Sequence, residues 1–254
     1  MSIGWGLRGF IGGGSLGVMI PGALVALVLG RALGLPAAIA GRVAAFGAIG
    51  IGFGGQETYG QTVRFVTDAG PMFWRGIAGL GVKGALWGLL GGAVFGVGCV
   101  AHRLTWRQWA VALGLLVGGT WLGWWLIDEP KLLYFSNFKD RPRAEIWAGL
   151  LSGGVFFLGW CAVGLRRAAR VPVTFALLGA AGGGVGFALG GVSYAGGMAL
   201  GWAADCYPGW KQMEFCFGAL LGAAFGVAAW CYWDAVRDVI PEDRPAGSPW
   251  WPRL

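Results

Sequence analysis

Charged residues are scarce in this chain of 254 residues. Only 12% are Asp, Glu, Lys or Arg, whereas soluble domains carry about 25%. Hydrophobic residues make up 56%, and the mean hydropathy is +0.64. Such a composition excludes the water-soluble and the disordered classes, because neither could keep so much apolar surface in water.

Histidine and cysteine are also scarce. The single histidine, His102, lies among basic residues, and the five cysteines have no CxxC spacing. We therefore expect no metal site, no other cofactor and no disulfide framework. The sequence also lacks HExxH, GxSxG and paired aspartates, so we expect no catalytic residues and no enzyme activity.

Long apolar runs separated by short charged segments are abundant. Such runs of about 18 or more residues are typical of transmembrane helices. They are continuous and about twice the length of a barrel strand, so the sequence predicts an all-α integral membrane protein in a lipid bilayer. The seven predicted spans cover residues 9–30, 38–55, 77–101, 109–127, 146–165, 173–198 and 215–233.

Basic residues are unequally divided between the predicted loops. Three alternate loops carry seven basic residues and no acid, whereas the opposite side carries nine basic and eight acidic residues. By the positive-inside rule, the all-basic loops and the tail, residues 234–254, are cytoplasmic and the amino terminus lies outside. Topology thus explains the net charge of +7, and no nucleic-acid partner is expected. The expected location is the plasma membrane, as in a bacterial inner membrane.

The two halves of the chain resemble each other in sequence. Three matches occur in the same order at offsets of 130 to 136 residues, and together they predict an internal duplication. The matching segments are 50–60 (GIGFGGQETYG) with 184–196 (GVGFALGGVSYAG), 74–75 (WR) with 210–211 (WK), and 88–97 (GLLGGAVFGV) with 218–227 (GALLGAAFGV).

The copies are displaced by four spans and therefore cross the bilayer in the same direction. The predicted fold has two parallel three-helix repeats, residues 1–101 and 146–233, joined by a linker helix (102–128) and an external loop (129–145). This three-plus-one-plus-three plan, with the amino terminus outside, resembles the topology of the SWEET sugar transporters. The resemblance concerns the number and direction of the helices, and it implies a solute site between the repeats.

Glycine recurs at every fourth position within several predicted spans. This glycine-zipper spacing leaves one bare helix face, on which a neighbouring helix can pack closely. The same faces would also let helices slide in a carrier, and the sequence leaves both interpretations open. The longest runs are Gly88, Gly92 and Gly96, then Gly182, Gly186 and Gly190, then Gly218, Gly222 and Gly226.

Polar residues collect at the predicted outer ends of the helices. Trp, Tyr and Lys at such positions are frequently interfacial anchors, and Lys83 could snorkel outward. Glu57 is not an anchor type, so we expect it to pair with Lys83 or Arg8 at the mouth of an outward-facing cavity lined by Tyr59 and Tyr194. The candidate ligand-binding residues are Gln56, Glu57, Tyr59, Trp74 and Lys83 in the first copy, and Ser193, Tyr194, Trp210 and Glu214 in the second.

Two functions fit these patterns. The first is a transporter or facilitator for a small neutral solute such as a sugar, bound between the repeats near the outer face, because no ionisable residue lies at mid-span. The second is a non-catalytic structural or accessory subunit of a larger membrane complex. The 16 tryptophans and the glycine faces would suit burial against other membrane subunits equally well.

Overall fold

The computed structural model describes residues 1–11, 14–57, 59–67, 70–136, 144–201, 209–231 and Asp234. Within these ranges the regular structure is entirely helical, and six helices are long and apolar enough to cross a membrane. Both observations support the prediction of an all-α, multi-pass membrane protein. The α-helices are α1 Ser2–Ile11, α2 Gly14–Ala32, α3 Ala37–Gly54, α4 Gly60–Thr67, α5 Phe73–Val100, α6 Trp106–Gly123, α7 Trp147–Gly164, α8 Arg170–Ala199 and α9 Gly209–Cys231.

The first predicted span, residues 9–30, differs from the other six. It falls on two helices, the end of α1 and most of α2, which has 19 residues. Gly14, the first residue of α2, has a φ of +54°, in the left-handed region that favours glycine. The hydropathy of the run did not reveal this break, because glycine is tolerated both inside an apolar helix and at its end.

The helices are packed as a series of neighbours. α5 has its most extensive contacts with α8, α3 lies on the other side of α5, and α9 lies on the other side of α8. α2 packs against α3, and α1 contacts both α9 and α2, so the series closes on itself. α6 packs against α7 outside this series, and α7 contacts α5 and α8. The first helices of the two predicted repeats therefore have different neighbours, since α2 packs on α3 whereas α7 packs mainly on α6.

Glycines set the distance between α5 and α8. A Cβ at Gly88 would lie 1.8 Å from the carbonyl oxygen of Gly179, and one at Gly92 would lie 2.1 Å from that of Phe175. No side chain fits into this interface, so the two backbones are in direct contact along antiparallel helices. Close backbone contact of this kind supplies the dispersion energy that holds helices together in lipid.

The other two glycine runs face different neighbours. Gly182 and Gly186 on α8 pack against α9, where added Cβ atoms would lie 2.3 Å from the Ala224 Cβ and 3.0 Å from the Leu220 Cβ. Gly218 on α9 packs against α1, where its Cβ would lie 2.9 Å from the Ser2 Cα. α8 therefore has a small-residue face for each of its two main neighbours.

We expect Gly88→Ala to destabilise the protein, because its methyl group would collide with a backbone oxygen that cannot rotate away. Overpacking costs about 1–3 kcal/mol or more, which corresponds to a fall of roughly 5 °C or more in the unfolding temperature. Gly226→Ala is the matched control, since nothing lies within 4 Å of a Cβ there and alanine favours a helix. Thermal unfolding of both variants in detergent tests this, and equal unfolding temperatures would contradict it.

Candidate functional site

Lys83 on α5 is completely buried, and its ammonium group contacts two carboxylates. The Nζ atom lies 2.8 Å from the Glu57 Oε1 and 2.7 Å from the Glu145 Oε1. The Nζ also donates a hydrogen bond of 2.9 Å to the Thr62 hydroxyl. The predicted ion pair between Glu57 and Lys83 is thus confirmed. The alternative that Lys83 snorkels outward is wrong, because its side chain is 0% exposed.

Glu145 connects this ion pair to the predicted external loop. Its Oε1 accepts a hydrogen bond of 2.6 Å from the Ser136 hydroxyl, and its Oε2 accepts one of 2.8 Å from the Phe135 backbone N–H. Residues 134–136, part of the loop predicted for the outer side of the membrane, are buried in the structure. We call the five residues Glu57, Thr62, Lys83, Ser136 and Glu145 the lysine cluster.

The N-terminus of α7 lies against the lysine cluster. The first N–H groups of a helix have no partner within the helix and carry partial positive charge. Glu57 Oε2 accepts a hydrogen bond of 3.0 Å from the Ile146 N–H, just before α7. Asp128, at the end of a π-helical turn that follows α6, accepts hydrogen bonds of 3.3 and 2.9 Å from the Ala148 and Gly149 N–H groups. Carboxylates from two distant helix ends thus cap α7.

The lysine cluster contains more carboxylates than cations. Lys83 contacts both Glu57 and Glu145, and each of the two carboxylates raises the energy of the other when both are ionised. Burial raises the pKa of Glu57 to about 7, because loss of hydration outweighs the opposing effects of Lys83 and the Ile146 N–H. Burial and the charge of Glu145 also raise the pKa of Tyr134.

A second buried polar group surrounds Glu214 on α9. Arg8 Nη2 lies 2.8 Å from the Glu214 Oε1, which also accepts hydrogen bonds from the Tyr59 hydroxyl at 2.7 Å and the Trp210 Nε1 at 3.0 Å. Arg8 Nη2 also donates to the Tyr59 hydroxyl oxygen, and Lys211 Nζ lies 3.1 Å from the Glu214 Oε2. We call Arg8, Tyr59, Trp210, Lys211 and Glu214 the arginine cluster.

Aromatic rings pack directly beside the arginine cluster. The Tyr59 ring stacks on Trp210, with centroids 5.4 Å apart, and meets Trp87 and Phe187 edge-on. Trp5 meets Trp87 edge-on at 5.1 Å. We call Trp5, Tyr59, Trp87, Phe187 and Phe217 the aromatic cluster.

Three N–H groups of this region have no hydrogen-bond partner within the described part of the chain. They are the Nε1 atoms of Trp5 and Trp87 and the Nε atom of Arg8, and all three are buried. A buried N–H without an acceptor is energetically unfavourable by about 1–3 kcal/mol. Three such donors together indicate a place where an acceptor from outside the protein could bind.

Trp124 lines two cavities. One has a volume of about 260 Å³ and is lined by side chains that include Asp128, Tyr134 and Glu145. The other, of about 320 Å³, is almost entirely apolar and lies between α3, α6 and α7, with Gln56 in its wall. The polar cavity therefore reaches the lysine cluster through Glu145.

The nine candidate residues lie in several separate parts of the structure. Glu57 and Lys83 belong to the lysine cluster, and Tyr59, Trp210 and Glu214 belong to the arginine cluster. The remaining four lie outside both clusters. Gln56 lines the apolar cavity, and Trp74 on α5 has 74% of its surface exposed. Ser193 on α8 accepts a hydrogen bond from Gln212, and Tyr194 packs against Gly209.

Several residues of the site were not candidates in the sequence. Arg8 was considered as a partner of Glu57, but it pairs with Glu214 instead. Glu145 and Asp128 were counted only as external charges. Trp87 could have been found from spacing, because it lies four residues after Lys83 and therefore on the same face of α5.

The described residues contain no group of three or more His, Cys, Asp or Glu side chains that could hold a metal ion. No protein-family model, no curated protein and no solved structure matches the chain. The two clusters, and the polar cavity beside the lysine cluster, are therefore the basis for a functional proposal.

We expect Lys83→Met to destabilise the protein strongly, because it leaves two buried carboxylates without a cation. Breaking a buried ion pair in this way costs about 3–5 kcal/mol. Lys211→Met is the control, since this ion pair is partly exposed and should contribute no more than about 1 kcal/mol. Equilibrium unfolding in mixed micelles measures both free energies.

A further combination checks the cause of this effect. Adding Glu57→Gln and Glu145→Gln to Lys83→Met removes the unpaired charges and should restore part of the lost stability. Equal losses for Lys83→Met and Lys211→Met, or no recovery in the triple variant, would show that the buried charges are not the reason.

Proposed function

We propose that the chain is a transporter or facilitator for a small neutral solute that carries hydroxyl groups, such as a sugar. The solute would bind between the two halves of the chain, beside the arginine and aromatic clusters. One observation carries this proposal: Tyr59 from the first half and Glu214 from the second half are joined by a buried hydrogen bond of 2.7 Å. Both residues were candidates from the sequence, and they meet near the same end of the helices.

The chemistry of the aromatic cluster supports a neutral, oxygen-bearing solute. Solute oxygens could accept hydrogen bonds from the Nε1 atoms of Trp5 and Trp87, which have no partner in the described part of the chain. The ring faces beside them offer apolar surface to the carbon skeleton of the solute. An anion is less suitable, because the nearby Arg8 already pairs with Glu214.

In this proposal the arginine cluster is a closed gate that separates the solute site from one side of the membrane. It connects α1, the segment between α3 and α4, and the first turn of α9, so that three separate elements meet above the aromatic cluster. A carrier must open and close such contacts in turn to expose its site to one side of the membrane at a time. Opening would separate Tyr59 from Glu214.

We also propose the finer topology predicted by the sequence. This consists of seven spans in two parallel repeats, in a bacterial inner membrane, with the amino terminus outside and the carboxyl terminus in the cytoplasm. The division of basic residues between the loops supports this orientation. It requires α2, a helix of 19 residues, to cross the membrane as the first span.

Reporter tags at the two ends test this topology. With seven spans, a periplasm-active reporter should function only at the amino terminus, and a cytoplasm-active reporter only at the carboxyl terminus. A tag on the basic loop at Arg166–Ala169 should report the cytoplasmic side and serves as an internal control. Both ends on one side would mean an even number of crossings, and the parallel repeat would then be wrong.

We expect Trp87→Phe to weaken solute uptake and to lower the stability only moderately. The change removes a donor that has no partner in the described protein, but the smaller ring also leaves a cavity in the aromatic cluster, where Trp87 is 2% exposed. Loss of one hydrogen bond to the solute costs about 1 kcal/mol, which raises the KM roughly fivefold. The measurement is saturable uptake of a panel of labelled sugars and polyols by purified protein in liposomes.

Trp230→Phe is the control for this experiment, because Trp230 lies on α9 with 83% of its surface exposed. Its uptake and its unfolding temperature should equal those of the wild type. Absence of saturable uptake for every solute of the panel would reject the transport proposal. An unchanged KM in Trp87→Phe would instead exclude the aromatic cluster as the site.

An accessory subunit of a larger membrane complex is the second candidate function. Its specific support is α6, which has its main packing contacts with α7 and carries a stacked, exposed pair of indoles, Trp121 and Trp125, with centroids 6.0 Å apart. Aromatic residues of this kind are frequent in protein interfaces. Co-purification with other membrane polypeptides at a fixed ratio, combined with no uptake in liposomes, would favour this function.

A further inference from the structure

We propose that the lysine cluster is a proton-binding site, which exchanges one proton with water through the polar cavity beside Glu145. The proposal concerns a different site from the solute site and does not depend on it. It rests on the arrangement of charges around Lys83, on their burial and on the position of the cavity.

The first argument is the charge balance of the cluster. Glu57 and Glu145 both contact the single ammonium group of Lys83, and all three side chains are 0% exposed. With both carboxylates ionised the cluster has a net charge of −1, and with one proton bound it is neutral. Low local polarity makes an excess buried charge costly, so binding of a proton is favoured. The proton belongs to the coupled pair of carboxylates rather than to one of them.

Within the part of the chain that the structure describes, the groups that face this pair from neighbouring elements do not remove the imbalance. Asp128, at the end of α6, adds another negative charge near the N-terminus of α7. Tyr134 contributes a phenol, and Arg75 on α5 directs its guanidinium to the Tyr134 carbonyl oxygen. The helix dipole of α7 supplies only about half a positive charge.

The second argument is access to water. A site that is sealed on every side could not exchange protons at a useful rate. Glu145 belongs both to the lysine cluster and to the wall of the cavity of about 260 Å³, which also contains the exposed side chains of Glu129 and Lys131. The cavity therefore provides a route from water to one carboxylate of the pair, and Lys83 lies between this carboxylate and Glu57.

Proton loss would act on the junction between α3, α5 and α7. Glu57 holds the N–H before α7, and Glu145 holds the loop residues Phe135 and Ser136. An additional negative charge increases the repulsion between the two glutamates and attracts water or a cation into the cavity. The expected consequence is a looser contact between the end of α3 and the start of α7 at alkaline pH.

Infrared difference spectroscopy of the wild-type protein tests the proposal directly. We expect the carbonyl stretch of a protonated carboxylic acid in a buried environment at about pH 5, and its loss by about pH 9. Glu57→Gln or Glu145→Gln should remove this signal, whereas Glu129→Gln, an exposed carboxylate at the same cavity, should keep it. No protonated acid signal in the wild type, or a signal that persists unchanged in both cluster variants, would overturn the proposal.

Thermal unfolding provides a second measurement. The pKa of Glu57 is about 7 in the folded protein and lies above its ordinary value, so the folded state binds the proton more tightly. The corresponding stabilisation is fully present at low pH and is lost as the pH rises through about 7. The wild type and Glu129→Gln should therefore unfold at lower temperature at about pH 8 than at about pH 5.

Glu57→Gln should show a clearly smaller dependence on pH in the same measurement. An equal dependence in Glu57→Gln and in the wild type would contradict the proposal. If Glu57→Gln does not fold, the infrared titration of the wild type and of Glu145→Gln decides the question. Neither experiment requires a solute, so its result is independent of the uptake measurements.

Discussion

A buried ammonium group requires opposite charge at short distance, and this requirement organises one end of the protein. Lys83 is surrounded by groups from elements that are far apart in the sequence: Glu57 after α3, Thr62 in α4 and Glu145 before α7. If any of them moved away, Lys83 would lose one of the close polar contacts that make its burial tolerable. The ion pairs therefore fix the positions of the segments between the long helices, which apolar packing alone would leave free.

Close helix packing makes these electrostatic contacts strong. The glycine face of α5 brings its backbone into contact with α8, so that no space for lipid or water remains on that side. Lys83 and Trp87 lie one turn apart on α5, close to the same packed interface. In such surroundings the attraction between charges is much larger than in water, and so is the cost of an unpaired group. The close packing at the glycines thus strengthens the ion pairs of Lys83, because it keeps water away from that side of α5.

The sequence allowed prediction of the features that depend on local composition. Six apolar runs of sufficient length correspond to six long helices. Glu57 pairs with Lys83, as expected because a carboxylate does not anchor a helix at the membrane surface and therefore needs a cationic partner. The break between α1 and α2 was missed, because a glycine-rich run has the same hydropathy whether its helix is continuous or not. The pairing of Arg8 with Glu214 was also missed, since it depends on α1 packing beside α9, and no local pattern encodes that neighbour.

The same limit explains why only part of the lysine cluster was found. Glu145 and Asp128 follow ordinary loop patterns, and their importance arises from the position of the α7 N-terminus, which needs acceptors for its first N–H groups. The sequence predicts a span that begins at residue 146, and the structure begins this helix at Trp147, but the sequence does not show which distant carboxylates reach that point. The position of ionisable residues near helix ends was therefore predictable, whereas of their pairings only that of Glu57 with Lys83 was predicted.

The two clusters are mechanically connected by a short piece of chain. Glu57 belongs to the lysine cluster and Tyr59 to the arginine cluster, and two residues span at most about 7 Å. Thr62 then returns to Lys83, so the segment from Glu57 to Thr62 is held by both clusters. Glu57 and Tyr59 therefore hold one short stretch of chain at two points, Glu57 through Lys83 on α5 and Tyr59 through Glu214 on α9. The two clusters share this stretch, so each helps to position a residue that the other uses.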